Sequence, residues 1–238
     1  MRDRLEQELV GFQAAGDPRR HFCAVYLRTT EAFGAAMDAG RFLDADWVER
    51  WDVAFAQLYF DALDQVAACR PPRLPWEVAF GAALGRPDLD PLRHLLLGMN
   101  AHINYDLPQA LLAVIRDEDF DDPALLGRRQ IDHRTSDHVL ASRVEGEDRA
   151  LGDDMPRTRL DATLAPVNRL GSKRFLRESR EKVWHNTRLL SLARRAGPEP
   201  YARRLAQLER RTAAQQERLV APGQVLLRLT VHGFGVRL

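Results

Sequence analysis

HLLLGMNAHINYDLPQALLAVI, residues His94–Ile115, decides how this chain is read. It is apolar almost all round a helix, so it belongs at the centre of a helical assembly rather than on its surface. Within it, GMNAHINYDLP (Gly98–Pro108) places glycine, asparagine, histidine and aspartate where only grease is expected. At about 100° per residue, Leu95, Met99, His102 and Asp106 share one side, with Gly98 beside them. Arg93, Asn100 and Asn104 form a stripe on the other side. An unpaired buried carboxylate is too costly to keep. Asp106 therefore needs His102 across the turn, an arginine from another helix, or a metal.

The flanking sequence repeats the helical period. Phe22, Val25, Thr29, Phe33 and Met37 fall on one stripe that Gly40 closes. In DADWVERWDVAFAQLYFDALDQVAA, Asp44 stands at the N-cap position before an apolar face of Trp47, Trp51, Phe55, Leu58, Ala62 and Val66. RPPRLP breaks the chain and Trp76–Leu84 restarts it; the central helix begins near Pro91 or Leu92, and Pro108 predicts a kink or short break. Further helices are expected from about Pro123 to Val144, Ser172 to Ala196 and Tyr201 to Leu219, with EGEDRALGDDMPR a surface loop. In QVLLRLTV, residues Val225, Leu227, Leu229 and Val231 alternate, which reads as a short extended or β-like C-terminal arm over about 221–238. The expected architecture is an all-α multi-helix bundle, one domain over 1–238 with its core at about 20–220.

The bulk properties narrow the function classes. A length of 238 residues permits a substantial core, and 45% hydrophobic with 29% charged residues is ordinary for a soluble domain. A net charge of +1 argues against nucleic acid as partner. No apolar run is long enough to span a membrane, and MRDRLEQELV lacks the apolar stretch of a signal peptide. The expected location is the cytoplasm, with Cys23 and Cys69 as reduced thiols.

Polar residues recur inside apolar stripes. Arg180 sits among Leu176, Val183, Thr187 and Leu190, and an inward arginine calls for a carboxylate. Asp106, Asp132 and Asp52 are the candidates. Asp132 is read as inward beside Ile131, Thr135 and Val139, while His133 and Asp137 fall towards solvent, and His94 is read as a surface residue at a helix start. His102, Asp106, Asp132 and Arg180 are the candidate catalytic groups. Asp52, Tyr59, Asn100, Asn104 and Trp184 are the candidate contacts to a substrate. His102 and Asp106 are also candidate ligands of a divalent metal, since imidazole and carboxylate suit zinc, iron or manganese.

Two resemblances bear on this. The paired motifs HINYD (His102, Asp106) and HRTSD (His133, Asp137) resemble those of the zinc-dependent phospholipase C and single-strand nuclease group. That group's further histidine and N-terminal tryptophan have no counterpart here. HLLLGMNAHINYDLP, with RFLDADWVERWDVAFAQLYFDAL and Pro75–Trp76 before it and REKVWHNTRLL after it, resembles the actinobacterial family numbered 5995 among domains of unknown function, over roughly Phe22–Leu190. That resemblance implies a helical fold and no particular activity.

No phosphate loop, nucleophile elbow or ExxH pair is present. Two functions remain. One is an enzyme acting on a small molecule, either a metal-dependent hydrolase or an acid/base cyclase or isomerase built on His102 and Asp106. The other is a non-catalytic helical binding or assembly module, in which the polar residues form a buried salt-bridge network and the arginine-rich C-terminal helix or the QVLLRLTV arm meets a partner, a second copy of the chain among the candidates.

Overall fold

Every described element is placed by contact with the central stretch or with a helix that touches it. The computed structural model describes residues 1–153, 178–223, 225, 229 and 233–238; at 137 and 140–153 it describes the backbone alone. The order is α1 (Arg2–Ala14), α2 (Arg20–Asp38), α3 (Ala45–Ala67), α4 (Leu74–Gly85) and α5 (Pro91–Asn100). A π-helical turn (Ala101–Asp106), α6 (Leu107–Val114), a 3-10 turn (Glu118–Asp121) and α7 (Pro123–Asp153) come next. A helix over 178–195, α8, and α9 (Pro198–Val220) complete it. There is no strand among the described residues, so the chain is an all-α bundle.

The sequence explains most of these boundaries. Asp44 caps α3 by accepting from the Trp47 amide at 3.0 Å, and Asp90 caps α5 by accepting from Leu92 at 2.8 Å. Pro91 opens α5 where a missing N–H costs nothing. The α1 helix carries Leu5 and Phe12 into the core, a spacing hidden in a charged stretch. α3 lies along α6, α2 along α5 and α4 along α9. Phe22, Trp47, Trp51, Tyr59, Trp76, Leu97, Leu107 and Leu111 form the centre of the core.

Several expectations are corrected. Pro108 does not break the helix. Its ring would crowd the carbonyl of Asn104, four residues back, and the wider π turn relieves that conflict: the Leu107 amide donates to the His102 carbonyl, five residues back. The stretch expected as a loop from Glu145 is helical through Asp153, because Glu, Arg, Ala and Leu are good helix formers even without an apolar stripe; residues 154–157 of it lie outside the described residues. The alternating tail is helical at Val225 and Leu229, Leu227 and Val231 lie outside the described residues, and 233–238 have no regular structure.

On α7 the inward stripe is Asp132, Ser136 and Val139 with His133 beside it, whereas Ile131 is exposed. His133 therefore faces the core, not solvent, and the Asp137 side chain lies outside the described residues. His94 is also buried, stacked against His21 with ring centroids 6.4 Å apart. No helix among the described residues is long and apolar enough to cross a membrane, and both cysteines are free, Cys23 buried and Cys69 exposed.

Candidate functional site

The π turn brings His102 and Asp106 together. In an α-helix, residues four apart are offset by part of a turn; the wider turn brings them closer to eclipsed. His102 Nδ1 lies 3.0 Å from Asp106 Oδ2, and the Trp76 indole N–H donates to that same oxygen at 2.8 Å. Each side chain is 3% exposed. Burial pushes the Asp106 carboxyl well above its usual range, against the opposing pull of the Trp76 bond, and pushes the His102 imidazole well below its own. Both shifts favour the uncharged forms, a protonated carboxyl beside a neutral imidazole.

Five aromatic rings enclose the imidazole. Phe55 stacks flat on it with centroids 3.6 Å apart and planes 7° from parallel. Tyr26 meets it edge-on at 4.6 Å, and Phe22, Trp76 and Tyr59 approach to 5.7, 5.9 and 6.1 Å. His102 Nε2 has no hydrogen-bond partner inside this cage, nor has the Tyr26 hydroxyl. The Tyr59 hydroxyl faces the Cys23 thiol without a well-formed bond. Gly98 makes the cage close: a Cβ there would lie 2.5 Å from the Phe22 ring. Beside the cage is a cavity of about 10 Å³, lined by Phe22, Tyr59, Trp76, His94 and Gly98, with Arg19 at its edge. Asp52 is buried close to Tyr26, and burial raises its carboxyl to about 7.

The remaining candidates are placed elsewhere. Asp132 accepts from the Leu43 and Asp44 amides at 2.7 and 3.1 Å, so it fastens the chain entering α3. Arg180 donates to the His133 carbonyl at 3.2 Å and lies 5.7 Å from the Trp51 ring centroid; it is not the partner of Asp106. Trp184 packs on His133, with centroids 5.5 Å apart, in that second cluster. Asn104 bonds the segment near Phe234, and Asn100 is buried with neither its carbonyl nor its amide partnered. Of the expected contacts, Tyr59 lines the cage and Asp52 lies at its margin.

As a metal site the donor set falls short. His102 Nδ1 and Asp106 Oδ2 are engaged with each other, and Asp132 is committed to backbone amides. Among the described residues no group of three or more histidines, cysteines or carboxylates is arranged to hold an ion. Sequence reasoning missed Trp76, Tyr26 and Phe55. Phe55 was read only as part of an apolar face, Trp76 only as the restart of a helix and Tyr26 not at all, and nothing local in sequence reveals that rings from three helices converge on one imidazole. His94 was missed because a helix-start position reads as surface.

Comparison with known proteins adds one positive finding. The model of a family of unknown function, DUF5995, matches residues 1–222, and the chain belongs to that family. No curated protein matches. No solved structure matches either.

Proposed function

We propose that the protein is an acid/base enzyme, an isomerase or cyclase acting on a small, largely apolar molecule, with His102 as the proton-transfer group. The observation that carries this reading is the unpartnered Nε2 of a buried imidazole, backed by Asp106 and enclosed by aromatic rings. Buried nitrogens without a partner are rare, and each calls for a reason. A neutral pair with two protons is poised to act first as an acid. Nε2–H donates its proton to the substrate while the Asp106 proton passes to Nδ1, leaving a carboxylate that accepts from both Nδ1–H and the Trp76 indole. Return of a proton from a different carbon of the substrate to Nε2 restores the pair. Positive charge developing on the substrate between the two steps faces the π-clouds of Tyr26, Tyr59 and Trp76. The adjoining cavity of 10 Å³ is the route by which a substrate would enter, and it would have to widen by movement of the Phe22 ring that packs on Gly98.

Incubation of the protein with a small-molecule cell extract in D2O, followed by untargeted mass spectrometry, tests this. A feature that disappears with wild type, persists with His102→Gln and is replaced by an isomeric product one mass unit heavier, with one hydrogen exchanged for deuterium, is the expected result. Identical profiles for a folded wild type and His102→Gln would overturn it.

A second reading, the non-catalytic module, draws on the small size of that cavity. The His102–Asp106–Trp76 chain is then a structural network. Under it, Asp106→Asn lowers stability and no extract component changes.

A further inference from the structure

Gly233 closes a helical turn, its amide donating to the Leu229 carbonyl at 2.8 Å, and Phe234–Leu238 then run without helix along a groove walled by the π turn, α8 and α9. Asn104 donates from Nδ2 to the Phe234 carbonyl at 3.1 Å and accepts from the Val236 amide at 3.2 Å. Asn186 repeats the pattern two residues on, donating to the Val236 carbonyl at 2.8 Å and accepting from the Leu238 amide at 2.9 Å. Two side-chain amides thus stand in for the backbone of a neighbouring strand. The intervening carbonyls are also met: Gln215 donates to Gly233 at 2.9 Å, Lys182 to Gly235 at 3.1 Å, and Arg211 to Arg237. Every carbonyl from Gly233 to Arg237 therefore has a side-chain donor.

The groove also reads side chains. Phe234 and Val236 are buried, Leu238 packs beside Leu190 and Leu208, and Arg237 points outward. At Gly235 an added Cβ would sit 2.8 Å from the Ser179 Cα, a backbone atom that cannot step aside. The segment lies beyond the portion matched by the family model. Asn104, its first anchor, lies within the π turn between His102 and Asp106.

We propose that this groove is a receptor for an extended peptide of the pattern apolar–Gly–apolar–any–apolar, filled in cis by Phe234–Leu238, and that filling it holds the π turn in the register that pairs His102 with Asp106. Asn104 is then a positioning residue for the pair. The peptide site stands on its own hydrogen bonds; only its effect on turnover rests on the enzymatic reading above.

The test uses the full chain with Val236→Pro, which removes the amide that Asn104 accepts from, and the synthetic peptide GFGVRL. The variant is expected to bind the peptide at least about tenfold more tightly than wild type, whose groove is filled. Its Trp76 indole and His102 ring NMR signals should move from their wild-type positions and return when the peptide is added. The same peptide with Val in place of its second glycine should do neither. Asn186→Ala, which loosens the segment from α8 without touching the π turn, should shift the same signals. A folded variant that takes up no peptide overturns the receptor, and one that binds it with the Trp76 and His102 signals unmoved overturns the coupling. Unfolding of both variants overturns the proposal as well, because the segment would then be inseparable core. None of these readouts depends on catalysis, so a failed substrate search leaves them intact.

Discussion

His102 and His133 are both buried imidazoles wedged between aromatic rings, and they differ in the charge that faces them. His102 meets a carboxylate held by an indole. His133 lies between Trp51 and Trp184, at 5.6 and 5.5 Å, with the Arg180 guanidinium on its own carbonyl. Burial depresses both, and at His133 Arg180 and Arg134 depress it further. At the first cluster burial favours an uncharged carboxyl–imidazole pair; at the second, burial and two arginines favour a neutral imidazole packed between two indole rings. The neighbour decides the chemistry; burial alone does not.

The largest expected effect tests that contrast. Asp106→Leu strands His102 Nδ1 and the Trp76 indole N–H in the core and should cost about 2–5 kcal/mol in urea unfolding. Asp106→Asn keeps an acceptor for the indole and should cost less. His133→Leu, which strands no carboxylate, should cost under about 1.5 kcal/mol. Equal losses at the two sites would erase the distinction between them.

Asp52 lies between the clusters in sequence, next to Trp51 and close in space to Tyr26. Its carboxyl ionises near 3.8 when unfolded and near 7 when folded. Between those values the folded state binds the extra proton, so the contribution of Asp52 to stability falls as pH rises from about 4 to about 7 and is level outside that window. Asp52→Asn should remove the decline, matching wild type at pH 3 and exceeding it at pH 8 by no more than about 4 kcal/mol. Thermal unfolding across that range checks it. A variant with the same pH slope as wild type would show that another group is responsible.

The contrast also shows what could be read from sequence. Helical periodicity placed α2, α3, α5 and α9 because their apolar stripes are continuous. The HxxxD spacing found the pair because both residues stand on one helix. Asp132 was correctly read as inward, and the fold sets it against backbone amides rather than beside His102. Its partners, the Leu43 and Asp44 amides, are backbone groups nearly ninety positions away, which no side-chain pattern announces. Arg180 was correctly read as buried. Its assignment to Asp106 rested on a shared inward face, whereas the fold sets it on the His133 carbonyl and near the Trp51 ring. The π turn was invisible for a related reason. Pro108 signals a disturbance, but the form of relief depends on the groups packed around Asn104.

If Asp132 is a fastener rather than a catalytic group, its loss should be felt only at the start of α3. Asp132→Ala should cost about 1–3 kcal/mol, since two amides lose their acceptor. Hydrogen exchange should quicken at Leu43 and Asp44, while the Trp76 indole signal holds its position. A shift of that signal would join the two clusters into one network.

The smallest effect concerns the second imidazole. Arg180→Leu removes one of the two cations that depress His133, but burial is the larger cause and is unchanged. The His133 titration followed by NMR should therefore move upward and still end below the usual 6.5. A group whose folded value is depressed in this way favours the folded state while it is neutral, and that contribution fades as pH falls below about 6.5. Arg180→Leu should accordingly soften the acid-side loss of stability without abolishing it. A His133 that titrates normally in the variant would make Arg180, rather than the packing of Trp51 and Trp184, the reason the imidazole stays neutral. The second cluster would then be an electrostatic device like the first.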